Sequence, residues 1–277
     1  MPDGPPPPPV VQRVRLRYAK RARLRFTSHR DFARAFERAL RRAGVPMAYS
    51  AGFTPHPKVS YVGAAPTGVA SEAEYLEIGL AREVDVEQLR SALDRALPPG
   101  IDIVEAVRAT GGSLPERIDA SEWQIELPGV DPSQARTAVA ALLAAETVPV
   151  ERRTKAGQRS IDVRSALVSA VVAEEVGLAG GDGVAPLSGV APAELGVSTA
   201  VTGSPCAIII CVVRHLTPAV RPDDFLTGLR QVADLDPAEF PVPPRATRMA
   251  QGALTAEGRI ADPLDADRGG LAIGTPT

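Results

Sequence analysis

The stretch that decides the fold is RVRLRYAKRARLRFTSHRDFARAFERALRRAGV, residues 13–45. Its first half alternates arginine with apolar residues at period two, which predicts a half-buried strand over 13–26, interrupted near Lys20. The apolar side chains of one parity are expected to pack inward, and the arginines of the other parity are expected to face outward. The inward set is Val14, Leu16, Tyr18, Leu24 and Phe26.

After residue 27 the apolar spacing changes to that of a helix. The residues of its apolar stripe are Phe32, Phe36, Ala39, Leu40 and Ala43. Ser28 is a favourable N-cap, Asp31 follows three residues later as in a capping box, and Gly44 is expected to end the helix. The stretch therefore predicts a strand followed directly by an amphipathic helix.

The next 60 residues continue this pattern with two strands, a helix and a strand. The strand-like runs are KVSYVG (58–63), EYLEIGL (74–80) and IDIVEAV (101–107), and the helix-like run is DVEQLRSALDRALPPG (85–100). Asp85 is the expected N-cap of that helix. The resulting order, βαββαβ, is that of the ferredoxin-like split βαβ unit.

A weaker second copy of this order follows. WQIELPG (123–129) and CAIIICVVRH (206–215) are typical of strands, and DPSQARTAVAALLAAE (131–146) and RPDDFLTGLRQVADL (221–235) are typical of helices. We predict an α+β protein of two tandem ferredoxin-like halves with disordered N- and C-terminal tails. The predicted parts are a Pro-rich disordered arm (1–11), a first domain (12–110), a second domain (120–240) with a flexible insertion near 177–205, and a disordered tail (241–277).

Positive charge is concentrated near the start of the chain. Between residues 13 and 58 the sequence has 13 Lys and Arg residues and two acids, a local charge of +11, although the net charge of the chain is −2. This segment is therefore the place to expect an anionic partner.

The arginines of the first strand are expected to face the open side of a sheet whose other side is covered by helices. Two interpretations remain open: they bind RNA or another polyanion, or they pair with acids of the neighbouring strand, where Glu77 should lie beside them. The strand lacks the paired aromatics of the familiar RNA-recognition motif. The predicted polyanion-binding residues are Arg13, Arg15, Arg17, Arg21, Arg23, Arg25, Arg34, Arg38, Arg41, Arg42, Lys58, Arg153 and Lys155.

The loop SAGFTPHPK, residues 50–58, is unusual for a connection because two prolines flank a histidine. We expect Phe53 to anchor it in apolar surface and the prolines to hold His56 and Lys58 in fixed directions, as a rigid rim beside the basic surface. The residues predicted to shape this region are Ser28, Asp31, Tyr49, Ser50, Gly52, Phe53, Pro55 and Pro57.

The candidates for chemistry are His29, His56 and Lys58, which near a phosphate could act as general acid and base in RNA cleavage. The alternative is that both histidines only pack or bond locally, since no third member of a reaction set can be named. The histidine spacing matches no metal-ligand pattern, and Cys206 and Cys211 should face opposite sides of one strand. No apolar run is long enough to span a bilayer, and we expect a cytoplasmic protein.

Several of these segments together resemble the uncharacterised domain that is fused to, or encoded beside, bacterial radical SAM proteins. The resemblance covers about residues 13–235 and rests on the run from RYAKRARLRF to FTPHPKVSY, and on GVASEAEYLEIGL, KAGQRSIDVR and VRPDDFLTGL. It implies an accessory domain of a radical SAM enzyme. Two cysteines in one strand cannot supply the three that hold the enzyme's iron–sulfur cluster, so the cluster and S-adenosylmethionine would belong to a partner chain, and this chain is expected to need no cofactor.

We therefore expect a non-catalytic accessory protein that binds RNA, such as tRNA or rRNA, or the radical SAM protein itself through its arginine-rich surface. One alternative is a metal-independent RNA-processing or RNA-modifying enzyme that uses His29 and His56. The other is a protein-interaction module that binds no nucleic acid.

Overall fold

The computed structural model describes residues 8–51, 53–154, 157–173, 205–233, 235 and 242–268. It confirms a mixed α+β protein. The chain divides into two compact units, the first formed by Met1–Ile118 with Asp262–Thr277 and the second by Asp119–Ala261. The predicted N-terminal arm and the predicted insertion lie largely outside the described residues.

The first unit has the element order βαββαβ. Its strands are β1 (Gln12–Lys20), β2 (Val59–Val62), β3 (Ala70–Leu80) and β4 (Ile101–Arg108), and its helices are α1 (His29–Arg42) and α2 (Val86–Ala96). The strands are antiparallel in the order β4-β1-β3-β2. Arg15 pairs with Glu77 across β1 and β3, as expected from the sequence.

The apolar residues of β1 form the core of this unit as predicted. Val14, Leu16 and Tyr18 are buried together with the apolar stripe of α1, and the ring of Tyr18 stacks on that of Phe32 with 4.4 Å between centroids. The predicted caps are also present: the Ser28 Oγ accepts a bond from the Asp31 amide, and Gly44 follows α1 with a φ of 63°.

The first strand is shorter than predicted, because β1 ends at Lys20. Ala22–Phe26 is a 3-10 helix that begins at a residue with a φ of 48°. Period two does not continue through such a turn, and the prediction that Phe26 packs inward is wrong: 59% of it is exposed.

The second unit also consists of a sheet and helices, and a hairpin is inserted between two of its helices in the chain. Its main strands are β5 (Ala120–Pro128), β8 (Leu167–Val172), β9 (Cys206–Arg214) and β10 (Arg245–Leu254), in the order β10-β5-β9-β8. The helices are α3 (Pro132–Ala144), α4 (Val163–Ala166) and α5 (Pro222–Val232). β6 (Pro149–Thr154) and β7 (Gly157–Asp162) form a separate hairpin, and β11 (Ile260–Ala261) pairs with β10.

The core of the second unit contains alternate residues of β5, such as Trp123 and Ile125, and Phe225 and Leu229 from α5. Cys206 and Cys211 are both free thiols. Burial raises the pKa of Cys211 to about 12, so this thiol is neutral at ordinary pH. Asp131 caps α3 by accepting a bond from the Ser133 amide.

The prediction of a disordered tail from residue 241 is wrong over 245–268, which form β10, β11 and α6 (Asp265–Arg268). The pattern of β10 was not recognised because the residues it buries include Arg248 and Gln251 rather than an apolar series. Gly252 is required here, since a Cβ would lie 1.8 Å from the carbonyl oxygen of Ala261 on β11. Among the described helices, none is long and apolar enough to cross a membrane.

Candidate functional site

The central arginine of β1 is buried and fully bonded. Only 1% of Arg15 is exposed. Its Nε donates to Glu77 at 2.9 Å, its Nη1 donates to both carboxylate oxygens of Asp267, and its Nη2 donates to the carbonyl oxygens of Gly111 and Gly112. Every donor position of the guanidinium therefore has a partner, and none is left for a ligand.

The other arginines along β1 also meet carboxylates. Arg13 contacts Glu77 at 2.9 Å but keeps an exposed side chain. Arg17 lies 3.5 Å from a carboxylate oxygen of Glu105. Arg21, just after the strand, bonds both Glu72 and Asp102.

A short C-terminal segment, Asp262–Arg268, supplies part of this negative charge. Asp262 lies 3.8 Å from Arg17, and Arg268 makes a two-pronged pair with Glu105 at 2.6 and 2.7 Å. Leu264 of the same segment is completely buried in a cluster with Tyr75. The segment is thus held by an apolar contact and by ion pairs, and it is part of the folded first unit.

Asp267 is the most highly bonded carboxylate of the segment. Besides Arg15 it accepts bonds from the backbone amide and hydroxyl of Thr110 and from Arg117. Burial alone would raise the pKa of Asp267, but these hydrogen bonds outweigh burial and lower it. In the same way, burial alone would lower the pKa of Arg15, but the hydrogen bonds that its guanidinium donates to Asp267 and Glu77 outweigh burial and raise it.

The described contacts therefore show the arginines of β1 paired with carboxylates, the second of the two interpretations left open by the sequence, although Arg13 keeps an exposed side chain. The acids that pair with these arginines come from β3, β4 and the C-terminal segment. Arg15 cannot contact a phosphate in this fold. The interpretation that applies to β1 is internal pairing.

The outer side of α1 is different, because its arginines extend into solvent. Arg30, Arg34, Arg38 and Arg41 are exposed, and no carboxylate among the described residues lies within ion-pair distance of them. Their spacing of three or four residues places them along one side of the helix. Arg42 is also exposed and donates to the carbonyl oxygen of Ala96. We call Arg30, Arg34, Arg38, Arg41 and Arg42 the α1 arginine row.

The loop between α1 and β2 is a narrow turn closed by its own backbone. The Ser50 amide donates to the carbonyl of His56, and the His56 amide donates to the Ser50 Oγ, while Tyr49 pairs with Pro57. The expectation that Phe53 anchors the loop is wrong, since 86% of Phe53 is exposed. Gly52 lies outside the described residues.

Among the contacts of the described residues, none joins the two candidate catalytic histidines. The ring of His29, at the start of α1, meets the edge of Tyr61 with 4.9 Å between centroids. His56 lies in the loop that follows the other end of α1, and the helix has 14 residues, or about 21 Å. The described part of the chain also contains no group of three or more His, Cys, Asp or Glu side chains placed to hold a metal ion.

The remaining residues predicted to bind polyanions belong to several different elements. Arg23 is exposed in the 3-10 helix, and Arg25 lies over the ring of Phe26 at 4.8 Å. Lys58 is exposed at the base of the loop. In the β6–β7 hairpin, Arg153 is exposed, whereas Lys155 lies outside the described residues.

The residues that sequence reasoning missed are acids. They are Glu72, Asp102, Glu105, Asp262 and Asp267. A usable signal existed in ADPLDADR (261–268), where Asp262 precedes a proline and caps the turn by accepting a bond from the Leu264 amide at 2.9 Å. That pattern is typical of the start of a short helix rather than of a disordered tail.

Comparison with known proteins identifies a family but no activity. A family model described as an uncharacterized protein conserved in bacteria (DUF2344) matches residues 13–222. No curated protein matches the chain. A solved structure of an unknown protein from Galdieria sulphuraria is similar at 15% identity over 86% of this chain and 98% of that chain, with a TM-score of 0.23. The chain therefore belongs to the bacterial DUF2344 family.

Proposed function

We propose that this protein is a non-catalytic binding protein that attaches to RNA through the α1 arginine row. The observation that supports this most directly is the row itself, since its arginines are exposed and four of them have no carboxylate within ion-pair distance among the described residues. Arginine binds phosphate with two parallel hydrogen bonds, and a row along a helix matches the repeated charges of a nucleic-acid backbone.

Because the arginines of β1 are paired internally, the proposed RNA-binding surface is limited to the arginines of α1. The fold uses the arginines of the strand to hold carboxylates, whereas it leaves those of the helix in water. Exposed arginines often form nothing more than a solvated helix face. The concentration of five on one helix with only two acids, Asp31 and Glu37, is what favours an anionic partner.

We further propose that the RNA-binding protein acts beside a radical SAM enzyme, as the resemblance of the sequence implies. In this proposal the partner chain holds the iron–sulfur cluster and S-adenosylmethionine. We also interpret each unit as ferredoxin-like. The sheet orders β4-β1-β3-β2 and β10-β5-β9-β8 support this interpretation, with the β6–β7 hairpin and α4 as insertions in the second unit.

The proposal is tested by the salt dependence of RNA binding. The triple variant Arg34→Ala, Arg38→Ala, Arg41→Ala should bind a transfer RNA more weakly, and the slope of log K against log salt should fall by about 3, because each phosphate contact contributes about 1. Fluorescence anisotropy at several salt concentrations measures both quantities.

The matched control removes the same charge from the second unit. Arg136, Arg159 and Arg214 are exposed there, and their triple replacement by alanine should leave the slope unchanged within about 0.5. Equal losses in the two triple variants would show that net charge rather than the α1 arginine row governs binding, and binding without salt dependence would refute the proposal.

A further inference from the structure

Two phenylalanines remain in water at opposite ends of α1. Phe26, just before the helix, is 59% exposed, and Phe53, in the loop after it, is 86% exposed. The sequence has only six phenylalanines, and Phe32, Phe36 and Phe225 are buried. Single exposed apolar residues are common and need no explanation by themselves. These two are distinguished by their place, since they lie at the two ends of one arginine-bearing helix.

The surroundings of Phe26 are cationic. The guanidinium of Arg25 lies over one face of the ring at 4.8 Å from its centroid, and Arg23 is exposed in the same 3-10 helix. An arginine stacked on an aromatic ring is held with its planar group ready to contact another planar group or a phosphate.

Phe53 belongs to a turn whose base is closed by hydrogen bonds. The Tyr49–Pro57 pairing and the two bonds between Ser50 and His56 close the base of the turn. Pro55 and Pro57 limit the backbone torsions of the returning arm. The base and the returning arm of the turn therefore lose less conformational freedom when a partner covers the ring of Phe53.

Charge continues between the two rings. The helix is about 21 Å long, which is the length of about six phosphates along one stacked strand. The α1 arginine row follows that length, and Lys58 is exposed at the base of the Phe53 turn. Rings at both ends of a basic track are the combination with which proteins bind single strands, where stacking adds to phosphate contacts.

We propose that the ligand of the α1 arginine row is single-stranded RNA, with unpaired bases stacked on Phe26 and Phe53. This inference rests on the proposed function and names its substrate class. A paired duplex keeps its bases stacked on each other, so it offers phosphates to the arginines but no free base to the rings. An acidic protein surface offers carboxylates and likewise no base.

The test compares three probes: an unstructured RNA of about 16 nucleotides, a duplex RNA with the same number of phosphates, and inorganic polyphosphate. Phe26→Ala and Phe53→Ala should each weaken binding of the single strand by about 5- to 150-fold. Binding of the duplex and of polyphosphate should change by less than about twofold, because the phosphate contacts remain.

The controls keep the outcomes distinct. Phe53→Trp should retain single-strand binding, and Leu216→Ala, at an exposed apolar residue of the second unit, should leave it unchanged. Equal losses for all three probes, or no loss in either phenylalanine variant, would overturn the inference while the arginine result still supports the proposed function. If the arginine triple variant binds every probe as the wild type does, the proposed function itself fails.

Discussion

At the scale of single residues, the protein uses arginine in two opposite ways. The guanidinium of Arg15 is removed from water and satisfied by Glu77, Asp267 and two carbonyl oxygens. Taking such charges out of water is costly, and the attraction of the pair offsets that cost only when the geometry is complete. Removal of one partner is therefore more damaging than the net strength of the ion pair would indicate.

We predict that Asp267→Asn lowers the free energy of unfolding by about 3 kcal/mol at pH 7, since it leaves Arg15 partly uncompensated. Urea denaturation measures this change. The control is Asp265→Asn on the same segment, whose side chain is 67% exposed and pairs with Arg268. It should cost less than about 1 kcal/mol. Similar losses in both variants would contradict the role assigned to Asp267.

The same carboxylate has a defined pH dependence. The pKa of Asp267 is lower in the folded state than in the unfolded chain, so the folded state favours the ionised form. Its stabilisation is fully present above the unfolded pKa of about 3.9 and is lost as pH falls through the folded pKa. The difference in unfolding free energy between wild type and Asp267→Asn should therefore be constant from pH 5 to 7 and shrink below about pH 4. A difference that is as large at pH 3 as at pH 7 would argue against this linkage.

At the scale of elements, the C-terminal segment completes the first unit. Leu264 is fully buried in contact with a cluster that includes Val62, Tyr75 and Leu114. Leu264→Ala should lower the free energy of unfolding by about 2–5 kcal/mol, because a large side chain leaves a cavity in a closed site. Thermal or urea unfolding tests this, with Leu216→Ala, at a residue that is 42% exposed, as a control that should cost little.

The elements also show what a sequence can reveal. Alternation in 13–20 predicted the buried face of β1 correctly, because a strand with one apolar side must turn that side to the core. The spacing and capping residues of α1 were predicted for the same local reason. The partners of Arg15 were not, since Asp267 is 252 residues away and no local pattern records that contact. The exposure of Phe53 was not predicted because apolar residues are expected to pack inward. The tertiary structure shows instead that 86% of this residue is exposed.

At the scale of the whole molecule, salt should separate the two uses of arginine. Buried pairs such as Arg15–Asp267 are screened little, whereas contacts between exposed arginines and phosphate depend strongly on salt. Between 50 and 200 mM salt, RNA affinity should fall by about 10²-fold if the row makes four or more contacts, while the free energy of unfolding changes by less than about 1 kcal/mol. Parallel anisotropy and denaturation series measure the two responses. If the RNA affinity and the free energy of unfolding both fall as salt rises, the loss of affinity would be explained by unfolding of the protein.

The distance along the chain between Arg15 and Asp267 also orders events during translation. At a rate of roughly 5–20 residues per second, a ribosome needs roughly 10–50 s to add the 252 residues that separate them. Throughout that time Arg15 of the nascent β1 cannot form its ion pair, because Asp267 has not yet been synthesised. The first unit to be synthesised is therefore the last to be finished, and the second unit is complete before the carboxylates that close the first one leave the ribosome.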